Sequence, residues 1–492
     1  MSGISGSGYQ HSPRYNAVGI IGGLGSVASA DVFFKMTRFA AAMPPARRVE
    51  ILFDQKPFKE ADIAGAENAY TNARKLYVFD MVRQFEERCA AAVALPCFIS
   101  HTFLDELQVE VGLPIVDMLA AIRRHLETRL PKLQRVGVLT SSYVRKKQLF
   151  QKYFPADQYE LLFPSDAVQH ACVMRAVYGA QGIKHGCMSG NTIDLLYEAC
   201  QDLLRQGAQV ILPGMTEVAM VADALIARGI PLIDTNQVYA ESVIAYEGVV
   251  ARQFKIGVVG GVGPAATVDF IGKVIRNTPA EKDQDHIKLV VEQNPQIPDR
   301  TQNLVADGPD PTVAIYAACK RLENDNADII AIPCNTAHAF VERIQAHLSV
   351  PIINMLDETV GYVARQYGQP CRIGLLATAG TIASTVYHEA AQRLGMQLVT
   401  PAPEQQEQVM QIIYGEHGVK AGFVNDDLRL ALIEQIGLLA QQGADVVILG
   451  CTELPLLMHQ NEAFEVNGKC VPVLDPTEIL ARRCVSLAQA AG

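Results

Sequence analysis

At 492 residues the chain exceeds one ordinary domain, and with 49% of its residues hydrophobic it has ample material for two or more separate cores. A formal net charge of −10 carried by scattered acids and bases excludes the basic footprint of a nucleic-acid binder, and no apolar run is long enough to span a membrane. Eleven cysteines at irregular spacing, without CxxC pairs or an N-terminal apolar segment, exclude a disulfide framework and a regular zinc site, and lead us to expect a cytoplasmic protein with free thiols.

Residues 1–16, rich in Gly, Ser and His, predict a disordered lead. The ordered pattern begins at Ala17 with Ala-Val-Gly-Ile-Ile-Gly-Gly-Leu-Gly25, a strand and a glycine loop, followed by a helix over Val27 to Phe39. Far downstream, Lys255-Ile-Gly-Val-Val-Gly-Gly-Val-Gly263 repeats that construction. Cys97 and Cys334, His101 and His338, Pro114 and Pro351, and Arg135 and Arg372 are separated by one constant displacement. With the displacement shortened by one residue, Tyr178 and Lys184 correspond to Tyr414 and Lys420, and Gln206 to Gly214 corresponds to Gln442 to Gly450. The chain is therefore one unit written twice, with expected domains 17–252 and 253–492.

In the second half, predicted strands over Ile256–Val259, Ile287–Val291, Ile329–Ile332, Ile352–Asn354, Ile373–Ala377, Leu398–Val399, Val446–Leu449 and Val471–Leu474 alternate with helical segments. Such alternation gives an α/β fold of parallel sheets flanked by helices. The expected architecture is a tandem duplication in which each half has two lobes and a site in the cleft between them.

The chemistry-bearing residues fall at predicted strand ends, where ligands bind in open parallel sheets. Ile332-Pro-Cys-Asn-Thr-Ala-His338 places Cys334 after one apolar run, and Val446-Val-Ile-Leu-Gly-Cys-Thr-Glu453 places Cys451 after another. Two thiols, each beside a threonine, point to a two-base site, although a single strand-end cysteine is more often part of a core. Gly261-Val-Gly-Pro-Ala-Ala266 fits a dinucleotide fingerprint, yet the acid that should follow, Glu292, comes late and precedes a proline-rich segment. We read the loop instead as tight packing, backbone donors from Gly261 onward and a helix start at Pro264 suited to a carboxylate. Asn294-Pro-Gln-Ile-Pro-Asp-Arg-Thr301 presents Arg300 on a stiff loop, as a carboxylate fork or as a surface pair of Asp299. Thr378 opens a helix, and Lys420 lies in a loop.

Taken together, Gly260 to Pro264, Asn294 to Arg300, Pro333 to His338, Ala377 to Thr381, Tyr414 to Lys420 and Leu449 to Pro455 resemble the aspartate/glutamate racemase family, cofactor-independent racemases with two catalytic cysteines. The Asn294 to Arg300 loop is closer to its aspartate branch. The resemblance implies that Cys334 and Cys451 are opposed bases, that Arg300 holds a substrate carboxylate, and that Gly261, Asn335, Thr336, Thr378, Lys420 and Thr452 contact an amino-acid substrate. No cofactor and no metal are implied. Because family members are commonly dimers, the fusion is expected to reproduce a dimer contact inside one chain, with further self-association an option.

Racemisation removes an α-proton from one face and returns one to the other, so two acid/base groups must flank a planar carbanion. One cysteine must be a thiolate, which for a free thiol of pKa about 8.5 requires nearby donors or positive charge. The first half departs from this pattern: Phe98 and Ile99 replace the Asn and Thr, Met215 stands at the position of Cys451, and Asp62 falls at that of Arg300. It is expected to be a degenerate copy. The rival readings are a one-base isomerase or decarboxylase acting on another small carboxylic acid, and a non-catalytic amino-acid-binding regulator.

Overall fold

Short β-branched runs that are apolar on both faces pair in parallel, because only helices above and below can cover them. The computed structural model describes residues 17–44, 49–56, 58, 67–247 and 253–491, and it contains four such parallel sheets. The backbone divides into two units, 1–252 and 253–492. Both the expected disordered lead and the junction between the halves lie outside the described residues.

Unit 1 carries β1 (Ala17–Ile21), β2 (Glu50–Asp54), β3 (Ala92–Ala94) and β4 (Ile115–Val116) in the order β2-β1-β3-β4. A second sheet, β5 (Arg135–Thr140), β6 (Glu160–Leu162) and β7 (Val210–Gly214), has the order β6-β5-β7, extended by a parallel bridge from Ile211 to Leu232.

Unit 2 repeats the plan. β8 (Lys255–Gly260), β9 (Lys288–Gln293), β10 (Ile329–Ala331) and β11 (Ile352–Ile353) run β11-β10-β8-β9. The second lobe has β12 (Arg372–Ala377), β13 (Gln397–Val399) and β14 (Val446–Gly450), then the hairpin β15 (Glu465–Val466) and β16 (Lys469–Cys470), and finally β17 (Val473–Leu474). Its main sheet is ordered β13-β12-β14-β17. The hairpin was not expected from the sequence. Its turn, Asn467-Gly468, has positive φ at both residues (50° and 72°), the geometry that this dipeptide favours in tight hairpins.

The helices follow from the same burial rule. Pro264–Asn277 starts on a proline immediately after Gly263 and buries Ala266, Thr267, Phe270, Lys273 and Val274 at helical spacing. Phe270 and Val274 pack against Ile256 and Val258 of β8 and against Leu480, Ala481 and Cys484 of the last helix, Pro476–Ala491. Each fully buried aliphatic side chain of this kind contributes about 1.5–3 kcal/mol. Lys273, 2% exposed, is neutralised by Asp269 and by Asp475, the latter at 2.5 Å. Unit 1 has the corresponding cluster, Lys35 with Asp31 at 2.8 Å and Asp234 at 2.7 Å.

These strand orders position the site. In β11-β10-β8-β9 the chain reverses direction of growth between β8 and β10, and in β13-β12-β14-β17 between β12 and β14. Side-chain helices diverge at such a switch point and leave a crevice beyond the carboxyl ends of the two strands. Cys334 follows β10 and Cys451 follows β14. Among the described residues no helix is long and apolar enough to cross a membrane.

Candidate active site

In unit 2, β10 ends at Ala331, and Cys334 closes a tight turn through its N–H, which donates to the Ile332 carbonyl at 2.7 Å. The side chain is 6% exposed. His338, on the short 3-10 turn Thr336–Phe340, folds back so that Nδ1 lies 2.9 Å from the Cys334 carbonyl, while Nε2 accepts the Met355 N–H at 3.1 Å. With Nε2 accepting, Nδ1 carries the proton and the ring is neutral. Burial lowers its pKa further, so this histidine braces the cysteine turn rather than carrying protons.

Arg300 is the first residue of the helix Arg300–Ala306, which Asp299 caps by accepting the Gln302 N–H at 2.8 Å. Only 7% exposed, its guanidinium donates to the carbonyls of Ile297 (3.3 Å), Pro298 (3.1 Å) and Val262 (3.1 Å) and lies close enough to Cys334 for the two groups to interact electrostatically. Burial acts to lower its pKa, but Cys334 and Asp299 outweigh that and raise it. Three loop carbonyls thus hold the cation near the sulfur.

Cys451 follows β14 directly and is 5% exposed. Its Sγ donates to Glu453 Oε2 at 3.0 Å, and Thr452 Oγ1 donates to the same oxygen at 3.3 Å. Lys420, on the turn Val419–Ala421, donates to Glu453 Oε1 at 2.7 Å. Burial works to raise the pKa of Glu453, but Lys420 and the hydrogen bond from Cys451 prevail and hold it below the usual carboxylate range. The Cys451 thiol is pushed well up, first by burial and then by the adjacent carboxylate, with Lys420 opposing in part. Cys451 is therefore a thiol at neutral pH.

Four hydroxyls form a further cluster across the two lobes of unit 2. Thr301 and Thr336 come from the first lobe, and Thr378 and Thr381 from the second. Thr336 Oγ1 is 3.1 Å from Thr378 Oγ1 and 2.7 Å from Thr381 Oγ1, and Thr301 Oγ1 is 3.2 Å from Thr378 Oγ1. Tyr414, its ring 5.1 Å from the Lys420 ammonium, donates its hydroxyl to Asp299 at 3.0 Å. Asn335, 2% exposed, accepts the Tyr387 hydroxyl at 2.6 Å, while its Nδ2 has no partner among the described residues.

The glycine loop joins the two sides. Arg300 holds the Val262 carbonyl, and a Cβ on Gly263, where φ is 133°, would lie 2.8 Å from Glu453 Oε1. Gly261 is in the loop as expected, but its N–H is not free for a ligand: it donates to Thr267 Oγ1 at 3.2 Å. Glycine is required there because φ is +84° and a side chain would meet the Asn294 backbone at 2.3 Å. Among the described residues no cluster of three or more His, Cys, Asp or Glu could hold a metal.

The family model for Asp/Glu/Hydantoin racemase matches the chain twice, over residues 21–243 and 259–484. The chain belongs to the Asp/Glu/hydantoin racemase family. It is 29% identical over 238 residues to the broad specificity amino-acid racemase RacX of Bacillus subtilis, covering 47% of this chain and 96% of that protein. It is 31% identical over 149 residues to a glutamate racemase of Koribacter versatilis, spanning 30% of this chain and 49% of that enzyme. Among solved structures, the Picrophilus torridus aspartate racemase aligns at 30% identity and a TM-score of 0.40, over 48% of this chain and 94% of that one.

Both racemase-family matches contain a cysteine turn of the same build. In unit 1, Cys97 follows β3, and His101 lies 3.0 Å from its carbonyl and accepts the Met118 N–H at 3.0 Å. Lys184 approaches Glu217 at 3.9 Å, and Thr216 donates to Glu217 at 3.3 Å. Met215, 5% exposed, packs into a hydrophobic core at the position of Cys451, and Phe98 stacks on Phe150 with ring centres 5.8 Å apart. Asp62, expected at the position of Arg300, lies outside the described residues. A cation nevertheless reaches the thiol: Arg74, fully buried on the helix Glu67–Glu87, places Nη1 3.1 Å from Cys97 Sγ.

Sequence reasoning missed Arg74, Glu453, Tyr414 and Tyr387. For Glu453 there was a signal, since an acid two residues after a strand-end cysteine can fold back onto its thiol. Arg74 left none, because it arrives from a different element than its counterpart.

Proposed function

We propose that unit 2, residues 253–492, is a cofactor-independent amino-acid racemase that interconverts the enantiomers of aspartate, glutamate or both through Cys334 and Cys451. The observation that supports this reading is the contrast between two buried strand-end thiols: Cys334 lies under the influence of the Arg300 guanidinium, and Cys451 donates to the Glu453 carboxylate.

Cys451 rests as a thiol and can donate, so Cys334 takes the substrate α-proton in the same turnover. The electron pair of the broken C–H bond spreads into the α-carboxylate as an enediolate. Cys451 then delivers its proton to the opposite face, leaving Cys334 as thiol and Cys451 as thiolate. Lys420 and the unpartnered Asn335 Nδ2 are the donors placed to meet a carboxylate, and such fixed donors matter most where charge develops. The threonine hydroxyls and Thr452 complete the polar wall. Arg300 acts on Cys334 and keeps donors in reserve for a carboxylate, because loop carbonyls take both protons of Nη1 but only one of Nη2, and Nε has no partner among the described residues. Unit 1, with Met215 for the second base, does not racemise.

The test follows the chirality of L-aspartate and L-glutamate in D₂O together with α-deuterium incorporation. Cys334→Ser and Cys451→Ser should each lower racemisation by about 10²–10⁴-fold, while Cys470→Ser, an exposed thiol on the hairpin, should retain it. Racemisation that survives in either of the first two variants, or wild-type protein that exchanges neither acid, would sink the reading.

A further inference from the structure

Unit 1 keeps the charged side of a site whose second base is missing. Cys97 with Arg74, and Lys184 with Glu217, border an inner cavity of about 20 Å³ that Phe98 and Met215 help to close. A volume of this size admits one water-sized polar group, such as the leading oxygen of a carboxylate, but not a whole amino acid. It adjoins an outer pocket of about 270 Å³ that shares Leu24, Lys184 and Glu217. The rest of that pocket is formed by the glycine loop, by Phe58 and Ile183, and by the first turn of the helix Ser26–Ala41, which has no acidic residue and no side-chain cap. Its N–H groups and dipole favour an acceptor or anion.

The two units differ chiefly on one wall, the exceptions being Val144 in place of Thr381 and an arginine that arrives from another helix. Where unit 2 has Asn335, Thr336 and Cys451, unit 1 has Phe98, Ile99 and Met215, all bordering the inner cavity. On the other wall Ser141 replaces Thr378 with the same capping role, accepting the Val144 N–H at 3.2 Å, and Tyr178 carries the Lys184 ammonium 4.7 Å from its ring centre as Tyr414 carries Lys420. Loss of the polar wall removes the partners of a second carboxylate. Two cations remain to receive the first one: Arg74, 3.1 Å from Cys97 Sγ, and Lys184, whose distance of 3.9 Å from Glu217 leaves its charge only loosely compensated by that acid.

We propose that unit 1 is a binding site for a small monocarboxylic acid, with the carboxylate reaching into the inner cavity between Arg74 and Lys184 and a compact uncharged body in the outer pocket. Unit 1 is then a ligand-bearing domain rather than a spent copy. The proposal is independent of catalysis in unit 2, because its readout is on Cys97.

The experiment measures the rate at which iodoacetamide carbamidomethylates Cys97 in the full chain, by mass spectrometry of its peptide, with isobutyrate, L-lactate, pyruvate or L-aspartate present. At least one of the three monocarboxylates should slow Cys97 by about tenfold, and L-aspartate should not. Lys184→Gln, at a partly exposed residue that unit 1 tolerates more readily than loss of buried Arg74, should abolish the protection. If Cys97 reacts too slowly to follow, saturation transfer to the methyl protons of the same three acids replaces it, with transfer expected in wild type and lost in Lys184→Gln. No protection or transfer by any monocarboxylate, equal protection by L-aspartate, or an effect that persists in Lys184→Gln would overturn the proposal.

Discussion

Cys334 and Cys97 stand on the same turn, braced by the same histidine bonds, each near an arginine. What separates the units is the opposite wall. In unit 2 a second thiol is held against Glu453, and four threonine hydroxyls and an asparagine amide line the crevice. In unit 1 methionine, phenylalanine and isoleucine fill the corresponding space. The comparison isolates what unit 1 lacks: it keeps a thiol, an arginine on that thiol and an acid, Glu217, beside its lysine, but it has no thiol at the position of Cys451 and no asparagine amide at that of Asn335.

The sharpest way to test that contrast is Glu453→Gln. It removes the carboxylate that holds the Cys451 proton and leaves the Lys420 ammonium facing the thiol. Racemase turnover should fall by about 10²-fold. Carbamidomethylation of Cys451 should move the other way. In wild type the raised pKa keeps Cys451 unreactive until alkaline pH. In the variant two of the influences that raise it, the charge and the hydrogen bond of Glu453, are gone, so the labelling profile shifts to lower pH. Unchanged labelling would show that the 3.0 Å contact does not control the proton.

A smaller effect is expected from Thr336→Val. The change is close to isosteric but takes out the hydroxyl shared by Thr378 and Thr381, both of which are buried. Stability of unit 2 should drop by about 0.5–1.5 kcal/mol, the net worth of a lost hydrogen bond between hydroxyls that still bond each other, measurable as a lower denaturant midpoint for that unit. A midpoint equal to wild type would mean that the hydroxyl cluster does not tie the lobes. The smallest effect is predicted for Met215→Cys in a Cys334→Ser chain: no racemisation of aspartate or glutamate by chiral chromatography. Activity there would break the comparison, since the thiol alone would have been the missing part.

Much of this arrangement was legible in the sequence. The strands ending at Cys334 and Cys451 are β-branched runs closed by proline or glycine, which is why the sheets and both cysteine turns could be placed from the pattern alone. The eight predicted strands of unit 2 recur in the structure with shifted ends, such as Lys288–Gln293 for Ile287–Val291. The contacts that depend on distant folding were not legible. Lys420 meets Glu453 from 33 positions away, and Tyr387 meets Asn335 from 52. The arginine on Cys97 comes from the helix Glu67–Glu87 rather than from the position that the repeat indicates. The expectation for the Gly261 amide failed for a local reason: the Thr267 hydroxyl, one and a half turns along the chain, takes the hydrogen bond first.

The threonine cluster has a consequence of its own. Each hydroxyl has one proton to give and two lone pairs to offer, and rotating a C–O bond reverses its role without moving a heavy atom. Thr336, Thr378 and Thr381 lie within 3.1 Å of one another, so turning one proton obliges the others to turn. That coupling is pinned at one point: Thr378 Oγ1 already accepts the Thr381 N–H and the Thr301 hydroxyl, so its own proton is directed at Thr336 or Thr381 and sets the order of the other two.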